Sequence, residues 1–247
     1  MWTRLRYGRG PQLAAAFLLA LIAVSTVLAA THVGAGGNSP STTSPNASGR
    51  AAQAEFAGIP QRGLTLGDPE APATLVEFAD PQCPFCAQYV RDALPAVVDQ
   101  WVRTGRLRLE LRFLTFIGPD SVRAARLAGA AGLQNRLWTF SDVLYLNQGR
   151  ENSGYVTTGF LEGIAKATPG LDVNRAFADS GSSQVDAQLT EAARMADRLG
   201  VTSTPSFVLV RPGRPTTPVR PSSLTGAGLS AAIEQALAAR GGSGGAP

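Results

Sequence analysis

Cys83 and Cys86 are the only cysteines in the 247-residue chain, and they stand at i and i+3 in the run Cys83-Pro84-Phe85-Cys86. Two thiols at that spacing near the start of a helix can close a disulfide between themselves. The first then lies where unpaired backbone N–H groups and the helix dipole stabilise an anion. That lowers the thiol pKa, and the thiolate is the species that attacks disulfides. The second, one turn deeper, is placed to resolve a mixed disulfide. Two plainer readings compete. Half of a zinc site would need two further ligands, and the folded region offers no other Cys or His. A purely structural disulfide closing so short a loop would constrain the unfolded chain rather little. The motif alone is only moderately specific, so a redox pair and a structural disulfide both stand on it.

Other chemistries are excluded by absence. The single histidine, His32, lies just beyond the N-terminal hydrophobic segment, outside any fold. A Ser-His-Asp hydrolase or a His-ligated zinc enzyme therefore has no histidine to use. The sequence pI of 9.6 points superficially to nucleic acid. Arg4, Arg6, Arg9 and Arg50 all precede Glu55, however, and from Glu55 onward 18 basic residues balance 18 acidic ones. The excess charge belongs to the N-terminal tail and reports on topology, with no support for nucleic-acid binding.

The elements that must hold the two cysteines follow from periodicity. Residues 73–80 form a short apolar run suited to a buried strand, and 83–102 read as a helix kinked at Pro95. In 106–113, Leu107, Leu109, Leu111 and Phe113 face one way while Arg106, Arg108, Glu110 and Arg112 face the other. Residues 121–199 carry only helical patterns. An apolar strand at 206–211, an edge strand at Val219 and a closing helix at 224–240 complete an α/β arrangement: β-α-β, a helical block, then β-β-α. Thr204-Pro205 stands immediately before the strand at 206–211. Alone, Pro205 is an ordinary strand-start proline, although an X-Pro bond is also where cis geometry is accessible. Glu77 lies mid-strand among apolar neighbours, where a carboxylate is costly unless used. The plain alternative is a strand-edge glutamate facing water.

The ends read differently. Residues 1–10 are basic and 11–31 are apolar, long enough to span a bilayer as a helix with the arginines retained inside. The expected organisation is a cytoplasmic tail (1–10), a single-pass transmembrane signal anchor (11–31), a flexible linker (32–55), a domain at 56–240 and a disordered tail (241–247). Cleavage near Val27-Leu28-Ala29 would release a secreted form instead. Either way the domain lies on the extracytoplasmic side.

Gly63-Leu64-Thr65-Leu66-Gly67-Asp68-Pro69-Glu70-Ala71-Pro72, then Glu77-Phe78-Ala79-Asp80 and Cys83-Pro84-Phe85-Cys86, resemble the DsbA-like family of exported thioredoxin-fold proteins. Residues from Leu137-Trp138-Thr139-Phe140 to Asn147-Gln148 resemble that family's inserted helical domain, and Gly200 through Phe207 resemble its cis-proline loop. The resemblance spans roughly 60–240 and implies a thioredoxin fold with a helical insertion at about 118–199. It implies Cys83 as nucleophile, Cys86 as resolving thiol, Pro205 as the cis-proline, Thr204 in contact with the cysteines, and Glu77 exchanging protons with the buried thiol. The redox-active Cys83–Cys86 disulfide would take the place of a cofactor. Thiols of exported proteins would be the substrates, and a membrane quinone-linked enzyme would reoxidise the pair. A reductase or isomerase of the same fold, and a non-enzymatic peptide-binding module, are the alternatives. One departure matters: oxidising members often carry His where Phe85 stands. Phenylalanine cannot stabilise a thiolate by charge, so Cys83 is expected to titrate between the ≈ 3.5 of DsbA and the ≈ 7 of thioredoxin, giving a weaker oxidant.

Overall fold

The computed structural model describes residues 44–239. The expected cytoplasmic tail (1–10), anchor (11–31), first part of the linker (32–43) and C-terminal tail (241–247) lie outside the described residues. Among the described residues, no helix is long and apolar enough to cross a membrane.

The strand β3 (Thr74–Ala79) runs parallel to β4 (Arg108–Phe113) and antiparallel to β5 (Ser206–Val210). Two short strands, β1 (Gln61–Arg62) and β2 (Thr65–Leu66), extend the sheet beyond β4, and β6 (Thr217–Val219) extends it beyond β5. The order is β1-β2-β4-β3-β5-β6. Every residue of β3 is buried, as expected of a strand covered on both faces. The two-residue period turns Leu75, Glu77 and Ala79 towards the larger core. Val76 and Phe78 face a smaller one built with Leu114, Ala192, Ala196 and Val208.

On β4 the alternation survives: Leu109, Leu111 and Phe113 are buried while Arg108, Glu110 and Arg112 are half-buried. The charged face does not meet open water. The helix α8 (Ser183–Leu199) packs over it, and Glu110 pairs with Arg112 at 2.5 Å.

The helix α2 (Pro84–Asp92) follows β3. The expected kink at Pro95 is a break at Ala93. The short α3 (Leu94–Val97) restarts with Pro95 in its first turn, where the missing N–H leaves no bond unmade, and runs into a π-helical turn at Val98–Val102. Between β4 and β5 the helical insertion comprises α4 (Pro119–Leu133), α5 (Leu137–Leu146), α6 (Thr158–Ala167), α7 (Val173–Asp179) and α8. Side chains of Thr157, Asp172 and Ser182 cap the last three by accepting from a backbone N–H three residues on. The closing helix α9 (Gly226–Ala238) packs on α3 and β6.

The linker reading fails at its second half, because Pro45–Glu55 forms a helix, α1. Its composition lacks large apolar residues, yet small ones suffice where helices approach closely. Ser48, Gly49 and Ala52 are buried against α5 and α6. Asn147 Nδ2 donates to Ser48 Oγ at 2.9 Å, and the Arg103 guanidinium caps the C-terminal carbonyls of Glu55 and Ala57. The domain therefore begins by residue 45 and not at 56. A Cβ at Gly49 would overlap the Ala167 carbonyl. Replacing Gly49 by Val gains a few tenths of a kcal/mol in helix propensity, against roughly 1–3 kcal/mol for overpacking against backbone. Gly49→Val should therefore lower the melting temperature by several degrees in a circular-dichroism melt, and an unchanged midpoint would mean that α1 does not dock.

Candidate active site

Cys83 is the N-cap of α2, with Pro84 at its first position. Its backbone is fixed on both sides: Cys83 N donates to Asp80 O, and Cys83 O accepts from Cys86 N and Ala87 N at 3.1 and 3.2 Å. Cys86 lies one turn further on, wholly within the core, and both thiols are free. Opposite them, the Thr204–Pro205 bond is cis, and the Cys83 thiol donates to the Thr204 carbonyl at 3.2 Å. The chain thus brings together residues 121 positions apart. An open cleft of about 310 Å³, lined among others by Thr202, Ser203, Pro205 and Arg220, runs alongside this loop. Among the described residues, Phe85 and Phe116 are the most exposed large apolar side chains, at 60% and 56%.

The two thiols sit in opposed electrostatic settings. Cys83 is pulled down to about 6, chiefly by the hydrogen bond from the Cys86 thiol. Burial opposes this as the second-largest effect, and the Thr204 hydroxyl and the backbone N–H groups of Cys86 and Phe85 add smaller lowering contributions. Cys86 is pushed well above the ordinary range, first by burial and then by that same bond and by the charges of Cys83 and Glu77. Glu77, on β3 beneath α2, is buried, and its Oε1 has no hydrogen-bond partner. Burial, reinforced by the Cys83 charge, pushes it to about 8. The water-facing alternative for Glu77 is excluded by its place between Leu111 and Phe207 on the central strand.

A set of buried polar contacts that no sequence pattern announced holds the turn ahead of Cys83. Asp80 Oδ1 accepts from Gln82 N and from Ser121 Oγ, and Oδ2 accepts from Ile117 N. Gln82 Nε2 donates to Ser121 Oγ, while its Oε1 accepts from Asn152 N. Tyr145 donates to the Asp80 carbonyl at 3.0 Å. Gln148 Nε2 donates to the carbonyls of Pro81 at 2.9 Å and Cys83 at 3.2 Å. Only the Asp80-to-Gln82 bond is local enough to be read beforehand, as an Asx turn at Asp-Pro-Gln. Its partners are scattered through the insertion.

A sheet with α2 rising from its centre, a C-x-x-C at that helix's start and a cis-proline loop across from it define a thiol–disulfide oxidoreductase. The thioredoxin family, described as Thioredoxin, matches residues 61–213. A curated relative, the probable disulfide bond formation protein D of Bacillus cereus, is 30% identical over 145 residues, covering 58% of this chain and 67% of the relative. The oxidised BdbD structure from Bacillus subtilis superposes with a TM-score of 0.61 at 20% identity, covering 72% of this chain and 97% of that one. A thioredoxin-like oxidoreductase from Silicibacter pomeroyi gives 0.57 at 26% identity, over 76% and 98%. The chain belongs to the thioredoxin family, among its DsbA-like thiol–disulfide oxidoreductases.

The raised Glu77 carboxyl has a measurable signature. Its folded pKa of about 8 exceeds the ordinary 4.5, so the folded chain holds a proton that the unfolded chain has already lost. That stability is fully present below about pH 4.5 and is lost as the pH rises towards about 8. In the oxidised chain Cys83 carries no charge and burial alone raises Glu77, so stability should still fall as the pH rises above about 4.5, by up to roughly 1.4 kcal/mol per pH unit, over a narrower window than in the reduced chain. Glu77→Gln should flatten that slope in denaturant melts at pH 5 to 8, and an unchanged slope would rule out a buried, protonated Glu77.

Proposed function

We propose that the chain donates disulfides to thiols of exported proteins, with Cys83 as the exchanging sulfur. The observation that carries this reading is the opposition between the two thiols: Cys83 at about 6, Cys86 far above it. A substrate thiolate attacks Cys83 Sγ of the disulfide, the Cys83–Cys86 bond breaks, and Cys86 leaves with the electron pair. Its high proton affinity draws a proton, and Glu77, whose charge when ionised is felt at Cys86, can supply one from its neutral carboxyl. The substrate's second thiolate then attacks the mixed disulfide and expels Cys83, a good leaving group because its thiolate is stable. Two electrons pass from substrate to the pair. Thr204 and the Pro205 loop hold the face that the substrate approaches, and the exposed Phe85 and Phe116 favour apolar segments of unfolded polypeptide.

The Cys83 value also gauges oxidising power. It lies about one unit below thioredoxin's ≈ 7 and about 2.5 above DsbA's ≈ 3.5. Interpolation between these references places the potential above thioredoxin's ≈ −270 mV and below DsbA's ≈ −120 mV. Structural disulfides of secreted proteins lie below about −300 mV, so donation to them remains downhill. A membrane quinone-linked enzyme, by analogy with the family, is proposed to reoxidise the pair. Residues 11–31 are proposed to tether the domain to the membrane on its extracytoplasmic side.

The deciding measurement is the equilibrium of the Cys83–Cys86 pair with glutathione, read by thiol alkylation. A potential near the interpolated range supports donation. One at or below roughly −270 mV favours a reductase instead. Cys83→Ser should abolish exchange, whereas Cys86→Ser should accumulate the mixed disulfide on Cys83, visible as a mass increase lost on reduction. Undiminished function in Cys83→Ser would point to a peptide-binding module.

A further inference from the structure

Three side chains of the insertion and its loops, Ser121, Tyr145 and Gln148, reach the turn between β3 and α2, but only Gln148 touches the carbonyl of Cys83 itself. Its amide nitrogen donates to Pro81 O at 2.9 Å and Cys83 O at 3.2 Å. Both partners are carbonyl oxygens, which can only accept, so the amide must present its NH₂ group and the orientation is fixed by chemistry. Tyr145, by contrast, donates to the carbonyl of Asp80, three residues before the nucleophile.

We propose that Gln148 is a positioning residue for Cys83: by donating to the two carbonyls that flank the nucleophile, it sustains the thiolate and lets the helical insertion set the reactivity of the pair. This rests on the reading of Cys83 as the exchanging sulfur. The carbonyl oxygens of Pro81 and Cys83 carry partial negative charge beside a sulfur that must itself become negative. The Cys83 carbonyl already accepts from Cys86 N and Ala87 N, and Gln148 adds a third donor. Each donor withdraws charge from that oxygen and so weakens its repulsion of the thiolate. The same bonds hold Cys83 in its extended N-cap conformation, φ −67° and ψ 119°, from which the N–H groups of Phe85 and Cys86 can serve the sulfur. Gln148 touches neither sulfur nor substrate.

The test follows the thiolate absorbance of the reduced, full-length chain against pH, beside its equilibrium with glutathione. Gln148→Leu should raise the Cys83 midpoint by roughly half to one pH unit, the effect of losing about one hydrogen bond. The glutathione equilibrium should shift about threefold to tenfold towards the disulfide, because the reduced state loses stabilisation. Tyr145→Phe removes another bond between the insertion and the same turn. It should lower the melting temperature while moving both readouts clearly less than Gln148→Leu does, because it does not touch the carbonyl of Cys83. An unmoved midpoint in Gln148→Leu overturns the proposal, and so does an equal shift in Tyr145→Phe, which would make the effect one of loop anchoring. Should the Leu variant fail to fold, Gln148→Glu serves: an ionised carboxylate cannot donate, and its midpoint must rise further still. A wild-type chain that never exchanges with glutathione would defeat the disulfide-donor reading itself. That differs from an exchanging wild type whose midpoint ignores Gln148.

Discussion

For the Cys86 thiol to donate to a Cys83 thiolate, the two sulfurs need two environments within one helical turn. The donor must keep its proton, so Cys86 is sealed in the core between β3 and α2. The acceptor must shed its proton, so Cys83 stands at the helix start, where backbone N–H groups have no other partner. Neither condition is local. Sealing Cys86 takes the central strand, its two strand neighbours and the aromatic contact of Tyr89 with Phe207 at 5.0 Å. Freeing Cys83 takes a turn that stays put when its sulfur changes partner and charge. Glu77 adds a third ionisable group to this small volume, and its burial beside a thiolate is tolerable because it remains protonated until about pH 8.

The stillness of that turn comes from outside the sheet. Asp80, Pro81, Gln82 and Cys83 are held by Ser121, Tyr145, Gln148 and the Asn152 backbone, all contributed by the insertion and its loops. Asp80 shows how such a contact is balanced. Burial raises its pKa, while the bonds from Ser121, Gln82, Ile117 and Phe116 lower it. A carboxylate with its lone pairs occupied can stay in the interior without a cation beside it. The insertion is thus part of the site's construction, although it supplies none of the redox atoms.

What was legible in the sequence is what rests on short-range rules. The alternation at Leu107 to Phe113 gave β4, the Cys83-Pro84 pair gave the start of α2, and Thr204-Pro205 before an apolar run gave β5 with its loop. Glu77 could be singled out because a lone carboxylate among strand-forming apolar residues is expensive wherever the strand is buried. Three features were hidden for definite reasons. The helix α1 packs through Ser48, Gly49 and Ala52, whose small side chains look like linker composition until a partner surface is present. The strands β1 and β2 span only two residues each, too short for any period to register. The bonds around Asp80 join residues as far as 70 positions apart, and polar pairs at that separation leave no pattern in a single sequence.

The outer strand β6 has a bearing on the enzyme's surroundings. Its three residues are Thr217, Pro218 and Val219, with Pro215 and Pro221 to either side. Proline has no amide hydrogen, and a strand this short presents little backbone for another chain to zip onto. On the proposed function, substrates would arrive as extended polypeptide and bring potential β-strands at high local concentration. A long, regular border to its sheet would recruit them as extra strands and seed co-aggregation. With a proline-blunted border on one side and a two-residue strand on the other, the sheet offers such chains little backbone to join.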